Sequence, residues 1–222
     1  MNLNTNEIKI RIAKKIAELL PDKAFVNLGV GIPTMVCDYL PSGKELIIQT
    51  ENGMLGVGPA PAPEFVDSNL INASRKPVTE TPGCVYFDSA ASFAMIRSGR
   101  MDVTVIGAIQ VAENGDLANW ALPGTGVLGP GGALDLVTGV KNVIVATQHT
   151  TPKGAPKLVK ECTVPLTGLG VVGTVVTEYA VFTFENGRMV LQEYASDTSL
   201  EEIANITAAT YSVADNVRIW QV

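Results

Sequence analysis

Short apolar, β-prone runs that alternate with helical segments constrain the fold of this chain most strongly. The first unit runs from a strand at residues 24–28 through a glycine turn and a short helix that Pro41 ends, and then into a strand at residues 46–50. Later apolar runs at residues 103–106 and 143–146 have the composition of strands buried on both faces. This order predicts an α/β fold with an open, largely parallel sheet and helices on both faces.

Capping residues and helical periodicity predict where the helices lie. Residues 4–7 resemble a capping box, and the isoleucines that follow recur at helical spacing. A further helix fits residues 89–97, and the box at residues 198–201 predicts a C-terminal helix that reaches about Ala208. The chain is therefore expected to begin with an amphipathic helix and to carry another near its end.

Glycine and asparagine mark the turns. Asn-Gly pairs within residues 113–116 and 185–188 predict hairpins, so the last third should be more antiparallel than the rest. The segment 52–63 is rich in glycine and proline and is predicted to be an ordered loop. With no linker in its 222 residues, the chain is expected to form one domain over residues 1–222.

Charge and cysteine usage exclude several classes of protein. The formal net charge is -6 with a pI near 4.8, and no run of Lys or Arg offers a surface for nucleic acid. The three cysteines lack C-x-x-C spacing, which supports neither a disulfide framework nor a zinc site. No stretch approaches the roughly 18 apolar residues of a membrane span. We therefore expect a cytoplasmic protein with no metal, nucleic-acid or membrane partner.

Two conspicuous motifs are interpreted as non-functional. G-x-G-x-x-G occurs at residues 124–129 and 168–173, but the first runs into further Gly and Pro and the second into a β-prone run. Neither opens the helix that dinucleotide binding requires. The single histidine, His149, has no G-x-S-x-G nucleophile elbow to accompany it, and we interpret it as a hydrogen-bonded residue at a strand end.

Glu51 is the more informative polar residue. It stands where the apolar strand at residues 46–50 gives way to glycine, which is where open α/β sheets bind ligands. The residue alone leaves two interpretations open, a catalytic carboxylate or a structural one that accepts hydrogen bonds from backbone N–H groups. A second glycine cluster at residues 124–132 is similarly open between a loop that binds a ligand oxygen and a tight turn without a ligand.

Both segments resemble, in sequence and separation, the β subunit of the 3-oxoacid CoA-transferases of the acetoacetate and butyrate-acetoacetate type. The family signatures S-E-N-G and G-M-G-G-A-M-D-L-V are similar to residues 50–53 and 129–137. The likeness extends along essentially the whole chain, through residues 26–34, 88–97, 115–120 and 165–168. It implies the CoA-transferase type of open α/β sheet.

The resemblance also implies the chemistry. Glu51 takes the place of the family's nucleophile, which passes through a glutamyl anhydride and a glutamyl-CoA thioester. Asn52 and Gly53, with Gly129, Gly131 and Gly132, take the places of the residues that surround the reacting carbonyl. CoA is a substrate, and the acyl transfer requires no metal or redox cofactor. The expected substrates are a 3-oxoacyl- or short-chain acyl-CoA and a carboxylic acid.

The chain departs from the family pattern in the second glycine loop. The usual K-G-M-G-G is Leu128-Gly129-Pro130-Gly131-Gly132, which removes a positive charge, stiffens the backbone and deletes the N–H of residue 130. Thr50 replaces serine, and Gln148 stands where glutamate is common. The acyl preference is therefore left open by the sequence.

Family members of this length work with a separate α subunit, so a heterotetramer or a higher assembly is expected. Two alternatives stay open at this stage. The same nucleophile would hydrolyse a thioester if water reached the anhydride, and a binding or regulatory paralogue would keep the fold without the chemistry.

Overall fold

The computed structural model describes residues 4–122, 124 and 129–222. Within those residues the helices are α1 (Thr5–Leu19), α2 (Ser89–Arg97), α3 (Ala133–Gly139) and α4 (Leu200–Ile206), with 3-10 helices at Ile32–Tyr39 and Pro63–Phe65. The strands are β1 (Phe25–Leu28), β2 (Ile47–Thr50), β3 (Met54–Val57), β4 (Glu80–Tyr86), β5 (Val103–Ile106), β6 (Gln110–Ala112), β7 (Leu117–Ala118), β8 (Asn142–Ala146), β9 (Leu158–Val159), β10 (Thr174–Val176), β11 (Ala180–Glu185), β12 (Arg188–Ala195) and β13 (Tyr211–Trp220).

The largest sheet has a parallel centre, antiparallel pairs on either side of it and one further parallel pair, β12 with the edge strand β13. Its order is β13-β12-β11-β10-β8-β5-β1-β2-β3-β4. Neighbours from β10 to β2 pair in parallel, whereas β3 and β4 on one side and β11 and β12 on the other pair antiparallel. The predicted α/β fold with an open, largely parallel sheet is confirmed. The last third is more antiparallel than the centre of the sheet, as predicted, except that the edge strand β13 pairs parallel with β12.

Helices cover both faces of this sheet because successive strand residues point to opposite sides. On one face, Ile12 and Ile16 of α1 pack in the same core cluster as Val26 of β1. On the other face, Val137 of α3 packs with Val143 of β8. The polar residues described below lie on strands sandwiched between these two layers.

Helix boundaries agree with the local signals, with one shift. The Asn4 side chain accepts hydrogen bonds from the backbone of Asn6 and Glu7, so the predicted capping box opens α1. At the other end of the chain, the cap is Ser199 and not Thr198, since the Ser199 hydroxyl accepts the Glu202 N–H. The predicted helix start is therefore wrong by one residue, because the Thr198 N–H is used in the turn that follows β12.

Segment 52–63 differs from its prediction as an ordered loop. It contains strand β3, which pairs with β2 so that Thr50 opposes Met54. Gly56, with φ of 93°, interrupts the pairing of β3 with β4, where the register shifts. The glycines obscured the strand in the sequence, since glycine has a low strand propensity.

Both Asn-Gly hairpins are confirmed. The turn at Asn114-Gly115 joins the antiparallel strands β6 and β7, and Asn186-Gly187 joins β11 and β12. Asn186 and Gly187 have φ values of 52° and 71°, the positive angles that favour this pair in tight turns. No helix within the described residues is long and apolar enough to cross a membrane. The single domain and the cytoplasmic location stay predictions.

Candidate active site

Glu51 follows β2 directly and begins the turn into β3. The neighbouring strands β1 and β5 run parallel to β2 and end at the same edge of the sheet, where Gly29 and Gly107 follow them. The carboxylate therefore lies at the carboxyl edge of the parallel strands, as expected from its position in the sequence. It belongs to a hairpin turn and not to a long glycine loop.

Asn52 and Gly53 shape this turn. A Cβ on Gly53 would lie 2.3 Å from the Phe87 carbonyl oxygen, and its φ of 126° is strained for any other residue. The Asn52 amide donates to the Ile71 carbonyl oxygen at 2.9 Å, and its oxygen accepts a hydrogen bond from the Thr50 hydroxyl at 2.7 Å. Both residues adjoin Glu51 and hold the backbone that carries it, and neither is among the described residues that line the cleft below.

A cleft of about 430 Å³ brings the two predicted segments together. Glu51 lies on one side, and the loop before α3 lies on the other. The described residues that line the cleft are Gly29, Val30, Glu51, Ile106, Gly107, Ala108, Asn119, Pro130, Gly131, Gly132, Ala133 and Leu136. Glu51, Gly131 and Gly132 thus share one site, and Glu51 is the one ionisable side chain among these lining residues.

The loop before α3 depends on its glycines. Gly129 and Gly131 have φ values of 82° and 55°, and Pro130 stands between them. A Cβ on Gly132 would lie 2.8 Å from the Phe93 ring of α2, so a larger residue there would force the ring or the loop to move. Pro130 lines the cleft and has no N–H to offer it, while Leu128 lies outside the described residues.

Helices α2 and α3 fix the position of this loop. The Arg97 guanidinium of α2 and the Asp135 carboxylate of α3 form an ion pair at 2.8 Å. The same guanidinium lies 6.0 Å from the centre of the Phe93 ring, and that ring also packs against Gly132. Residues 88–97 and 129–137, which the sequence offered as separate motifs, form one packed unit.

Asn119 lines the cleft and was given no role from the sequence. Its amide oxygen accepts a hydrogen bond from the Thr167 hydroxyl at 2.6 Å, and its backbone N–H donates to the same hydroxyl oxygen. Because the amide oxygen is held in this way, the Nδ2 group is the donor that this side chain can offer. The signal in the sequence that could have identified Asn119 is its place as a polar residue directly after the short strand β7.

Asn27 of β1 is a second residue that sequence reasoning missed. It is fully buried, and its Nδ2 lies 3.5 Å from the Glu51 Oε2 atom. A polar residue in the middle of an apolar strand was the signal, since buried strands are otherwise rich in Val, Ile and Leu. The carboxylate therefore has an amide donor beside it within the sheet.

The structure confirms the interpretation of His149. Its ring is completely buried, with Nδ1 3.0 Å from the Thr177 hydroxyl and Nε2 2.8 Å from the Thr207 hydroxyl. Burial lowers the pKa of His149 to about 4, which keeps the imidazole neutral. His149 is a hydrogen-bonded residue just beyond β8 and does not line the cleft with Glu51.

Of the two G-x-G-x-x-G motifs, the described structure tests the one at residues 168–173. Residues 168–173 run into β10, so no helix begins there to receive a phosphate, and most of residues 124–129 lies outside the described part of the chain. Among the described residues, no group of three His, Cys, Asp or Glu side chains is placed to hold a metal ion.

Comparisons with known proteins agree with this architecture. A family model described as coenzyme A transferase matches residues 9–205. One subunit of a probable succinyl-CoA:3-ketoacid coenzyme A transferase of Bacillus subtilis is 44% identical over 211 residues, 95% of this chain and 98% of that protein. The β subunit of the acetate CoA-transferase of Escherichia coli is 46% identical over 208 residues, 94% of this chain and 95% of that protein.

A solved structure shows the same fold. The acyl-CoA transferase apoenzyme of Escherichia coli O157:H7 superposes with a TM-score of 0.76 at 19% sequence identity. The match covers 99% of this chain and 44% of that longer chain. The fold of the described residues is therefore one known from experiment.

Proposed function

The chain belongs to the coenzyme A transferase family, and from that premise we propose that it is the subunit that carries the nucleophile, Glu51, of a two-subunit CoA-transferase. As a family member it is an enzyme subunit of the CoA-transferase type. The cleft is the observation that supports the assignment of Glu51. Its lining brings Glu51 together with Gly131 and Gly132, which lie about 80 residues later in the sequence.

A carboxylate suits this reaction because every intermediate stays activated. Glu51 attacks the thioester carbonyl of the acyl-CoA, CoA thiolate leaves, and a mixed anhydride forms. The thiolate then attacks the glutamyl carbonyl, which releases the first carboxylic acid and leaves a glutamyl-CoA thioester. The acceptor carboxylate attacks this thioester to give a second anhydride, and the thiolate takes the acceptor's acyl group and frees Glu51.

Donors around the cleft match the charge that develops on the carbonyl oxygen. We assign this role to the backbone N–H groups of Gly131 and Gly132 and to Asn119 Nδ2, all on residues that line the cleft with Glu51. Gly129 contributes the backbone bend before Pro130, with its φ of 82°. Asn52 and Gly53 hold the turn that presents Glu51.

The substrates are an acyl-CoA and a carboxylic acid, with CoA as a substrate and no metal or redox cofactor in the proposed cycle. The cleft walls include Val30, Ile106 and Leu136, which favour a short 3-oxoacyl or alkanoyl chain over a charged one. Of the substrates in the names of the two relatives, the 3-ketoacid and acetate fit this class, whereas the succinyl group ends in a charged carboxylate and does not.

The proposed partner is a separate α subunit, with which the chain forms an α2β2 tetramer or a multiple of it. Both relatives are named as single subunits of their enzymes, and one of them as a β subunit, which supports a second kind of subunit. We propose that this second subunit supplies most of the contacts to CoA, since the described lining of the cleft holds no cation to meet the CoA phosphates.

Trapping the covalent intermediate tests the proposal. The complex of the chain with its α subunit is incubated with acetoacetyl-CoA and no acceptor, and intact mass should then show CoA attached to this chain at Glu51. Borohydride should inactivate the treated enzyme, because it reduces thioesters and not carboxylates, and an added acceptor acid should protect. Glu51→Gln should show neither effect and should lose at least about 10³-fold in turnover.

The exposed Glu64→Gln is the matched control, and it should behave like the wild-type chain. Residual turnover above about 1% in Glu51→Gln, or an adduct on another residue, would contradict the nucleophile assignment. Equal consumption of acyl-CoA with and without an acceptor acid would instead indicate hydrolysis.

A further inference from the structure

A row of buried polar side chains crosses the sheet behind Glu51. Gln49 of β2 pairs in register with Asn27 of β1, which pairs in turn with Thr104 of β5. All three are 0% exposed. Asn27 Oδ1 and Thr104 Oγ1 have no hydrogen-bond partner among the described residues. Each such unpaired atom lowers the stability of the fold by about 1–3 kcal/mol. Apolar side chains in the same three positions would not have this cost.

Hydrogen bonds connect this row to α2 at one end and to Glu51 at the other. Gln49 Nε2 donates to the Ser92 hydroxyl oxygen of α2 at 2.8 Å, and Ser92 is also 0% exposed. Asn27 Nδ2 donates to Gln49 Oε1 at 2.5 Å and lies 3.5 Å from Glu51 Oε2. The order of the relay is therefore Ser92, Gln49, Asn27, Glu51.

The relay sets which end of the Asn27 amide faces the nucleophile. Ser92 accepts from the Gln49 nitrogen, so the Gln49 oxygen is the atom turned toward Asn27. The Asn27 nitrogen carries two hydrogens, and its acceptors are Gln49 Oε1 at 2.5 Å, the Gln49 backbone oxygen at 3.4 Å and Glu51 Oε2 at 3.5 Å. A half turn of the amide would bring Oδ1 against two acceptor oxygens, one of them a carboxylate, in a buried site where that repulsion is strong.

We propose that Gln49 and Ser92 are positioning residues that act through Asn27, so that an N–H and not a carbonyl faces Glu51. The inference rests on the proposed function, since it gives Glu51 the role of nucleophile. The Asn27 N–H contacts Oε2, so Oε1 is the oxygen left for attack on the thioester carbonyl. Without the Gln49 side chain, the Asn27 amide keeps only its longer contacts, to the backbone oxygen of residue 49 and to Glu51. The amide then turns more easily and the carboxylate loses its single orientation.

The test compares variants of the relay with one beside it, in the complex of the chain with its α subunit. Gln49→Met keeps the volume of the side chain and removes both hydrogen bonds. It should lower kcat about tenfold to a hundredfold while KM for acetoacetyl-CoA changes less than about threefold, because a misplaced nucleophile affects the chemical step. Ser92→Ala, a milder change, should lower kcat about fivefold.

Thr104→Val is the matched control. Thr104 lies in the same row, with the same burial, on the side of Asn27 away from Gln49, and its hydroxyl has no partner among the described residues. Thr104→Val should leave kcat within about twofold of wild type. If Thr104→Val reduced kcat as much as Ser92→Ala, the relay would be an ordinary packing effect and the proposal would be wrong.

A double variant adds a readout that general destabilisation would not reproduce. Because Ser92 acts only through Gln49, Ser92→Ala combined with Gln49→Met should lower kcat no further than Gln49→Met alone. Losses that multiply, or a Gln49→Met enzyme with unchanged kcat, overturn the inference. Should Gln49→Met not fold, kcat of Ser92→Ala against Thr104→Val still decides it. Turnover that survives Glu51→Gln contradicts the proposed function instead, so the two failures are distinguishable.

Discussion

At the scale of single residues, a half-exposed carboxylate and fully buried amides lie side by side. Glu51 faces the cleft, whereas Asn27 and Gln49 are enclosed by the sheet and α2. Buried amides are rigid because each hydrogen bond they make has no competing water. Neighbours of this kind restrict the positions that the Glu51 carboxylate can take. A glutamate on the open surface would have no such restriction.

His149 provides a prediction at this scale. Its pKa is lowered by burial from 6.5 to about 4, so the folded protein resists protonation that the unfolded chain accepts. The neutral His149 contributes to the free energy of unfolding, and this contribution is fully present above about pH 6.5. As the pH falls toward 4, the free energy of unfolding decreases by about 3 kcal/mol on account of His149. His149→Gln keeps hydrogen-bonding groups for Thr177 and Thr207 and should remove this loss.

The measurement is the free energy of unfolding by urea from pH 7 to pH 4 for both proteins. Glu178 accepts the His149 backbone N–H, and burial raises the pKa of Glu178, so its own contribution is lost as the pH rises and has the opposite slope. Because both proteins contain Glu178, the difference between their curves isolates the imidazole. Parallel curves would contradict the lowered pKa of His149.

At the scale of elements, α2 and α3 act as a frame for the glycine loop. The Arg97–Asp135 ion pair is more than a third exposed at Arg97, so it contributes at most about 1 kcal/mol and serves mainly to set the register of the two helices. The contact of Phe93 with Gly132 is the tighter constraint. It fixes Gly132 against α2 in the loop that lines the cleft with Glu51.

Gly132→Ala tests this frame. Its Cβ would lie 2.8 Å from Cζ of Phe93, so either the ring or the loop must move. We expect kcat to fall by about tenfold or more, because a loop shift of about 1 Å misplaces the oxyanion donors. Adding Phe93→Leu, which removes the ring atoms in contact, should restore part of the loss. The readout is kcat and KM of the complex with its α subunit.

Gly99→Ala is the control for backbone strain. Gly99 has a φ of 70° and open space around its Cβ position, so the variant should lose about 1 kcal/mol of stability without a change in kcat. Wild-type kcat in Gly132→Ala would contradict a role of this loop in catalysis. So would a reduced kcat in Gly132→Ala that the addition of Phe93→Leu does not raise.

At the scale of the whole molecule, the described lining of the cleft lacks the cations that the proposed acyl-CoA substrate requires. Its described lining has donors and apolar walls for an acyl group, but no lysine or arginine. The chain as a whole carries a formal charge of -6. CoA carries several phosphate charges, which require cationic contacts from elsewhere. The lack of cations in the described lining, set against the phosphate charges of CoA, is consistent with a site that two subunits share.

The purified chain should accordingly be inactive by itself and should gain activity with its α subunit. Activity should rise with added α subunit and level off at a 1:1 ratio, measured as acetoacetyl-CoA consumption in the presence of acetate. Glu51→Gln should form the same complex by size-exclusion chromatography and stay inactive, which separates assembly from chemistry. Full turnover by the chain alone would refute the shared site.

The sequence by itself determined the elements whose signals are local. The capping box of α1, the limits of α2, the Asn-Gly hairpins and the position of Glu51 after an apolar strand all depend on neighbouring residues, and the structure has them as predicted. Strand β3 was missed because glycines at 53, 56 and 58 hide its pattern, although pairing with β2 and β4 stabilises it.

Only the tertiary structure decided which distant residues meet. That Glu51 shares a cleft with Gly131 depends on the order of strands in the sheet and on the packing of α2 against α3. That Gln49 lies between Asn27 and Ser92 depends on the register of β1 with β2 and on which turn of α2 covers them. Strand order, register and helix packing are set by the burial of the whole apolar surface at once, so no local pattern in the sequence contains them.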